Sequence, residues 1–278
     1  MTDAATGTQV VIEPRGGWLS VNWREVWQSR ELLYFLTWRD LKVRYKQTVL
    51  GVAWALLEPF IRLVVLTLIF GKVVKLDSEG YPSAVFMFAG LLPWQFFANA
   101  MRRAGDSLIN DVDLVQKVYF PRLVIPIASV GSTLVDLAFG FVILAGLMVW
   151  YGVPAGPKLL ALAPLILATT LLALGVGTLL SALTAVYRDF RYVATFLVQI
   201  WFFLTPVVWS LKLVPAHLRP LAALNPMCGI VEGCRSALLV DRPFDWGLLS
   251  LSGAIAVVLL VVGLHVFRRV ERELADII

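Results

Sequence analysis

Glu58 and Arg62 stand four residues apart in a stretch that is otherwise as apolar as a bilayer. With the acidic residue first, that spacing lets the two side chains bond on one helix face, which Trp54 shares. Gln95, Asn99 and Arg102 repeat the pattern in a second apolar stretch, and Asp136 stands alone in a third. A later stretch carries Tyr192, Phe196, Gln199, Phe203 and Pro206 as one stripe of aromatic and polar groups. Ionisable groups at membrane depth are costly, so each points to function or to a fixed partner. Carboxylates there could relay protons, but only Glu58 and Asp136 lie near mid-span, and one has an arginine within reach. Aromatic rings stack on the C–H faces of sugars while amides bond their hydroxyls. A lining of Trp54, Phe196, Gln199 and Phe203 therefore suits a glycan. The competing account is helix-to-helix hydrogen bonding for Glu58, Arg62 and Asp136, and packing against core or lipid for any single ring.

The elements that carry these groups follow from composition. The chain has 278 residues, of which 59% are hydrophobic and 15% charged, a mixture outside that of soluble domains. A span needs about 20 mostly apolar residues at about 1.5 Å each, and such runs predict six spans. They fall at roughly 49–71, 84–102, 122–151, 159–185, 193–211 and 248–267, with Pro126 expected to kink or tilt the third. Blocks of this length favour a helix bundle over a β-barrel, whose strands alternate over about ten residues. No apolar core with a cleavage site opens the chain, so the first span itself is expected to direct insertion. With both termini cytoplasmic, sixteen lysines and arginines fall on the inner side and seven on the outer, which sets the orientation. The basic charge is scattered over short loops and does not suit nucleic acid. Cys228 and Cys234 would point to different helix faces, and no set of four metal ligands is assembled, so neither zinc nor a structural disulfide is expected.

Three segments do not cross. In 29–46, Tyr34, Trp38, Leu41 and Tyr45 form one aromatic face with Arg39, Lys42 and Lys46 on its flank. Such a helix lies flat in the headgroup layer, as a functional element or as a plain anchor. In the loop from Asp106 to Pro121, Leu108, Val112 and Val115 make a short apolar stripe while Asp111, Asp113 and Lys117 face away, a form suited to a partner's groove. Asp111-Val112-Asp113 also matches a metal-binding pattern of glycosyltransferases, but the loop has no room for a nucleotide-sugar domain. On the outer side, Asn225 to Val240 is too short to span, is helical after Pro226, and pairs Glu232 with Arg235. Two short helices dipping back into the membrane fit it better than a seventh span, provided protein covers them.

Four blocks are more specific. Arg44-Tyr45-Lys46-Gln47-Thr48-Val49-Leu50-Gly51, followed by Trp54-Ala55-Leu56-Leu57-Glu58-Pro59, resembles the start of the first span in ABC-2 type polysaccharide exporter permeases. Lys117-Val118-Tyr119-Phe120-Pro121-Arg122 resembles that family's turn into the third span. Tyr187-Arg188-Asp189-Phe190-Arg191-Tyr192, with Gln199-Ile200-Trp201 after it, resembles the start of its fifth. Leu224-Asn225-Pro226-Met227, with Gly229, Glu232 and Arg235, resembles its outer gate helices. The resemblance runs from about residue 29 to 268.

It implies an all-α membrane protein with six transmembrane helices. An N-terminal amphipathic interface helix, a cytosolic coupling helix and short re-entrant outer helices before the last span complete it. Residues 1–28 are then a cytoplasmic tail and 29–278 the transmembrane domain. It also implies a homodimer in the inner membrane, working with two copies of a separate ATPase that binds ATP and Mg. A lipid-linked polysaccharide is the substrate; O-antigen exporters look closest, with capsule and teichoic acid exporters related. No G-x-x-x-x-G-K-[ST] occurs, since Gly71-Lys72 is followed by Val73, which agrees with ATP bound elsewhere. On the same implication the channel takes Trp54, Phe196, Gln199 and Phe203, and ATPase coupling takes Leu108, Asp111, Val112, Asp113 and Val115. The outer gate takes Asn225, Pro226, Glu232 and Arg235. Two alternatives remain: an ABC-2 exporter of small lipophilic molecules, whose channel lacks a continuous aromatic lining, and a membrane enzyme of glycan assembly, which needs a carboxylate or histidine cluster at one face. His217 and His265 are too far apart in the chain to suggest one.

Overall fold

The computed structural model describes residues 23–46, 53–118 and 120–277. The N-terminal tail through residue 22, the 47–51 part of the first motif and Tyr119 of the second lie outside them. Among the described residues every regular element is helical. Two helices, α1 (Trp23–Gln28) and α2 (Arg30–Lys46), precede α3 (Ala53–Leu66), which continues as a π-helix over Thr67–Val73. Then come α4 (Ser83–Asn110), the short α5 (Val112–Lys117), α6 (Val124–Tyr151) and α7 (Leu162–Val186). The chain closes with α8 (Phe190–Leu204), α9 (Arg219–Ala223), α10 (Pro226–Leu238) and α11 (Trp246–Ile277).

Five of these are long and apolar enough to cross a membrane: α3 with its continuation, α4, α6, α7 with the turn before it, and α11. α4 is the axis of the bundle. It packs against α6 and α7, and α7 packs in turn against α11. Nearly all of α4 is buried, while α3 is almost bare. The α7–α11 contact depends on missing side chains: a Cβ on Gly263 would meet the Gly175 carbonyl oxygen at 2.0 Å. Small residues let two membrane helices approach this closely.

Several expected boundaries shift. The second helix does not stop near 102; it runs to Asn110 and takes up Asp106 and Leu108, which were expected in a separate loop helix. Pro126 falls in the first turn of α6, where its missing N–H has no intrahelical partner to lose, so it starts the helix instead of kinking it. The fifth span was expected over 193–211, but α8 ends at Leu204. Pro206 disfavours helix at the residue before it, and the non-helical residues 205–208 that follow are buried in protein. α8 is therefore only 15 residues long.

Candidate functional site

A cavity of about 870 Å³ lies between α3, α4, α6 and α8. It gathers most of the polar groups that stood out in the sequence. α3 contributes Trp54, Glu58 and Arg62; α4 contributes Gln95, Asn99 and Arg102; α6 contributes Asp136; α8 contributes Gln199 and Phe203. Each set is one helix face, because residues three, four or seven apart stack above one another. Arg62 Nη2 donates to Glu58 Oε1 at 2.8 Å, and Arg102 Nη2 donates to Asn99 Oδ1 at 2.8 Å. Trp94, Phe96 and Phe202 add rings that the sequence did not single out. Trp94 packs tilted against Phe97 and Phe202, 5.8 Å from each. Phe196 does not join them: α8 lines the cavity only from Val198 onward, and Phe196 is exposed. The cavity is partly open, since Trp54 and Phe203 remain half to mostly exposed in the single chain.

Asp136 is not alone. Arg44 Nη1 forms an ion pair with its carboxylate, Tyr45 Oη donates to Oδ1 at 2.6 Å, and Arg44 Nη2 reaches Ser132 Oγ at 3.2 Å. These partners lie about ninety residues away in sequence, so spacing could not reveal them. They also correct the picture of α2. Tyr34 and Trp38 are exposed and Leu41 is half-buried, but Tyr45 turns inward. Burial and then the bond to Asp136 raise the Tyr45 hydroxyl pKa above its ordinary value.

The stripe expected on the loop after α4 is also redistributed. Leu108 and Val115 are buried in a second apolar cluster with Leu36, Leu123, Ile125 and Phe267. They fill this chain's own core and not an outward face. Asp111 accepts from Arg39 Nη2 at 2.7 Å, a bond that raises the Arg39 pKa against the effect of burial. What remains outward is Asp113, in a fully surface pair with Lys117 at 3.1 Å, beside the half-buried Val112. Arg191, at the start of α8, bonds Asp106 at 3.1 Å. The end of α4 is thus tied to both α2 and α8.

At the opposite end of α4, every residue of α10 is buried. Asn225 caps this helix, its Oδ1 accepting from the Met227 N–H at 3.0 Å and from Trp201 Nε1 at 2.8 Å. Pro226 occupies the first position, where φ is preset and no donor is lost. Arg235 has no exposed surface, and its donors are matched. It bonds Glu232 at 2.9 Å, the carbonyls of Val207 at 2.6 Å and Trp209 at 3.1 Å, and that of Phe86 at 3.3 Å. Its guanidinium carbon lies 4.0 Å from the Phe86 ring centroid. Gly90 makes room, for a Cβ there would stand 2.8 Å from Arg235 Nη2. Arg242 joins Glu232 to Glu79, and Lys212 bonds Glu79 at 2.7 Å. Burial alone would raise the Glu79 pKa, but bonds from Lys212 and Ser210 and the Arg242 charge lower it to about 2. The sequence showed only the Glu232–Arg235 spacing; Glu79, Arg242 and Gly90 carried no local signal.

Fold and cavity together define a multi-pass helical membrane protein that keeps its polar groups around an intramembrane space. The chain belongs to the ABC-2 type transporter family, whose model matches residues 31–239. It is 29% identical to the O-antigen export system permease protein RfbA of Myxococcus xanthus over 255 residues, covering 91% of this chain and 97% of that one. A Klebsiella pneumoniae protein of the same name is 26% identical over 89% of this chain and 95% of its own length. The polysialic acid transport protein KpsM of Escherichia coli is 24% identical over 85% and 92%.

Proposed function

We propose that this chain is the membrane-spanning permease subunit of an ATP-driven exporter that moves a lipid-linked polysaccharide, O-antigen foremost, across the inner membrane. The observation that carries it is the cavity lined together by the rings of Trp54, Phe202 and Phe203 and the amides of Gln95, Asn99 and Gln199. Rings and amides in one lining suit a substrate with C–H faces and hydroxyls. The names of the relatives support the same substrate class. Export of a capsule-type polysaccharide is the second reading, favoured only by the more distant relative.

In this account the chain is no enzyme. Two copies pair so that the open side between α3 and α8 closes into a conduit, and two copies of a separate ATPase bind ATP and Mg. α8 completes a sixth crossing together with the buried, non-helical residues 205–208, which protein must cover because lipid cannot bond an irregular backbone. α2 is the interface helix, the α4–α5 junction around Asp111, Val112 and Asp113 meets the ATPase, and α9 with α10 forms the outer gate.

Both termini are cytoplasmic. His217→Cys and Lys117→Cys test this, because both positions are exposed while Cys228 and Cys234 are buried. An impermeant thiol reagent on intact cells should label the first and spare the second; the reverse would refute the orientation. The transport reading is tested by co-purifying the chain with its ATPase, reconstituting both in vesicles and following ATP-dependent movement of a lipid-linked glycan. Hydrolysis without glycan movement would refute it.

A further inference from the structure

Arg122 closes the motif that starts at Lys117, yet it lines neither the large cavity nor the α10 joint. It grips the C-terminal part of α11 instead, and does so twice. Its backbone N–H donates to Glu271 Oε1 at 3.2 Å, and its Nη1 donates to the Glu271 carbonyl oxygen at 3.3 Å. Arg268, one turn earlier on α11, holds its Nε 3.9 Å from Glu271 Oε2. Apolar contact continues around this clamp. Phe267 of α11 is buried in the same cluster as Val115 of α5 and Leu123, and Val270 packs against that cluster. The turn between α5 and α6 is therefore seated on α11 by polar and apolar groups together.

From this clamp α11 reaches back to α10. Its 32 residues make a rod about 48 Å long at about 1.5 Å each. Asp245 caps the start, Oδ1 accepting from the Leu248 N–H at 3.0 Å. At that end α10 lies directly on the rod. A Cβ on Gly229 would stand 2.2 Å from Ser252 Oγ and 2.7 Å from the Leu248 carbonyl oxygen. Midway, the Gly175–Gly263 contact sets α11 just as closely on α7. Contacts this tight leave no soft layer between helices, so displacement of one is passed to the next. α4 also reaches α10, but it is enclosed along nearly its whole length, whereas only a small part of α11 is buried. The rod is thus freer to shift than the axis, by the small sliding steps that packed helices allow.

We infer that the Arg122–Glu271 clamp makes α11 the rod through which movement at α5 reaches α10. Arg122 and Glu271 are positioning residues, for they hold the α5–α6 turn to α11 and neither lines the cavity. The inference rests on the proposed reading of α5 as the ATPase contact and of α10 as part of the outer gate. Rigid elements with two discrete arrangements carry coupling between distant sites. Here the clamp decides whether α11 follows α5 or is left behind.

The test uses the full complex with its ATPase in nanodiscs and reads the native thiols of α10. Cys228 and Cys234 are buried, so N-ethylmaleimide reaches them when α10 moves. Labelling of each is followed by peptide mass spectrometry with and without ATP and Mg. ATP should speed labelling of the unsubstituted complex several-fold. Glu271→Ala and Arg122→Gln each remove one bond of the clamp and keep the other, so both should fold, with resting labelling unchanged. Each should cut the ATP-dependent gain, and the double variant should abolish it while ATP hydrolysis stays close to normal. Glu271→Gln should keep most of the gain, since its amide oxygen still accepts from the Arg122 N–H. An undiminished gain in the single and double variants overturns the clamp. Faster labelling without ATP, with the gain intact, marks a purely structural contact and overturns it too. The underlying reading fails separately: if ATP leaves labelling of the unsubstituted complex unchanged, α10 is no ATPase-driven gate, and the inference falls with it.

Discussion

Two Glu–Arg pairs one helical turn apart, both with the acid first, live in opposite surroundings. Glu58–Arg62 on α3 is about half exposed on both sides and faces the large cavity. Glu232–Arg235 on α10 is sealed, with Arg235 wholly buried and its donors spread over a carboxylate and three carbonyls. In sequence the two pairs look alike; in space one is an open polar surface and the other is a closed joint. A saturated charge holds structure together, whereas an unsaturated one is left for something that arrives. That contrast separates the open cavity, with its half-exposed pair, from the α10 end, where Glu79, Glu232, Arg235 and Arg242 are linked in one network.

The largest expected effect breaks the joint. Arg235→Met leaves Glu232 with one fewer partner and takes a donor from three carbonyls, a loss of about 3–5 kcal/mol for a buried pair stripped of one member. Detergent-stable protein should fall steeply. Glu58→Gln, the matching change at the open pair, should alter stability by no more than about 1 kcal/mol. Equal losses in thermal-unfolding assays of the two variants would erase the contrast.

A smaller effect is expected at the α5 surface. Val112 is half-buried beside the exposed Asp113–Lys117 pair, so Val112→Asp should fold and insert normally. Placing an unpaired carboxylate at a partner contact should cost assembly with the ATPase about 2 kcal/mol. Pull-down of the ATPase at wild-type levels would remove α5 from the contact.

A further effect is a pH dependence at the α10 joint. The folded-state pKa of Glu79, about 2, lies below its ordinary 4.5, so the unfolded chain takes up the proton more readily. Its contribution to stability is complete above about 4.5 and is lost as pH falls from there towards 2. Glu79→Gln should flatten the unfolding profile across that window, and an unchanged slope would contradict the role given to this carboxylate.

What the sequence made legible was what periodicity and local chemistry encode. Apolar length located five membrane helices, helix faces grouped Trp54 with Glu58 and Gln95 with Asn99, and Pro226 announced the start of a helix. What it hid depended on the third dimension. Asp136 looked solitary because Arg44 and Tyr45 come from a distant helix. Leu108 and Val115 made a stripe whose apolar character cannot say which protein buries it, and here it is this one. Phe196 shares a stripe with Gln199 and Phe203, yet the cavity does not extend along α8 as far as that residue.

The central claim is that the rings around the α3–α8 cavity serve passage and not packing. A moving chain needs many shallow, similar contacts, each worth about 1 kcal/mol by analogy with aromatic pairs. Trp54 and Phe203 are half to mostly exposed, so removing both should leave the fold intact. The decisive measurement is surface polysaccharide per unit of detergent-stable complex for Trp54→Ala with Phe203→Ala. The account predicts a severe loss of export per complex at near-normal complex yield, with milder loss in either single variant. Normal export per complex, with any deficit explained by lower yield, would contradict it.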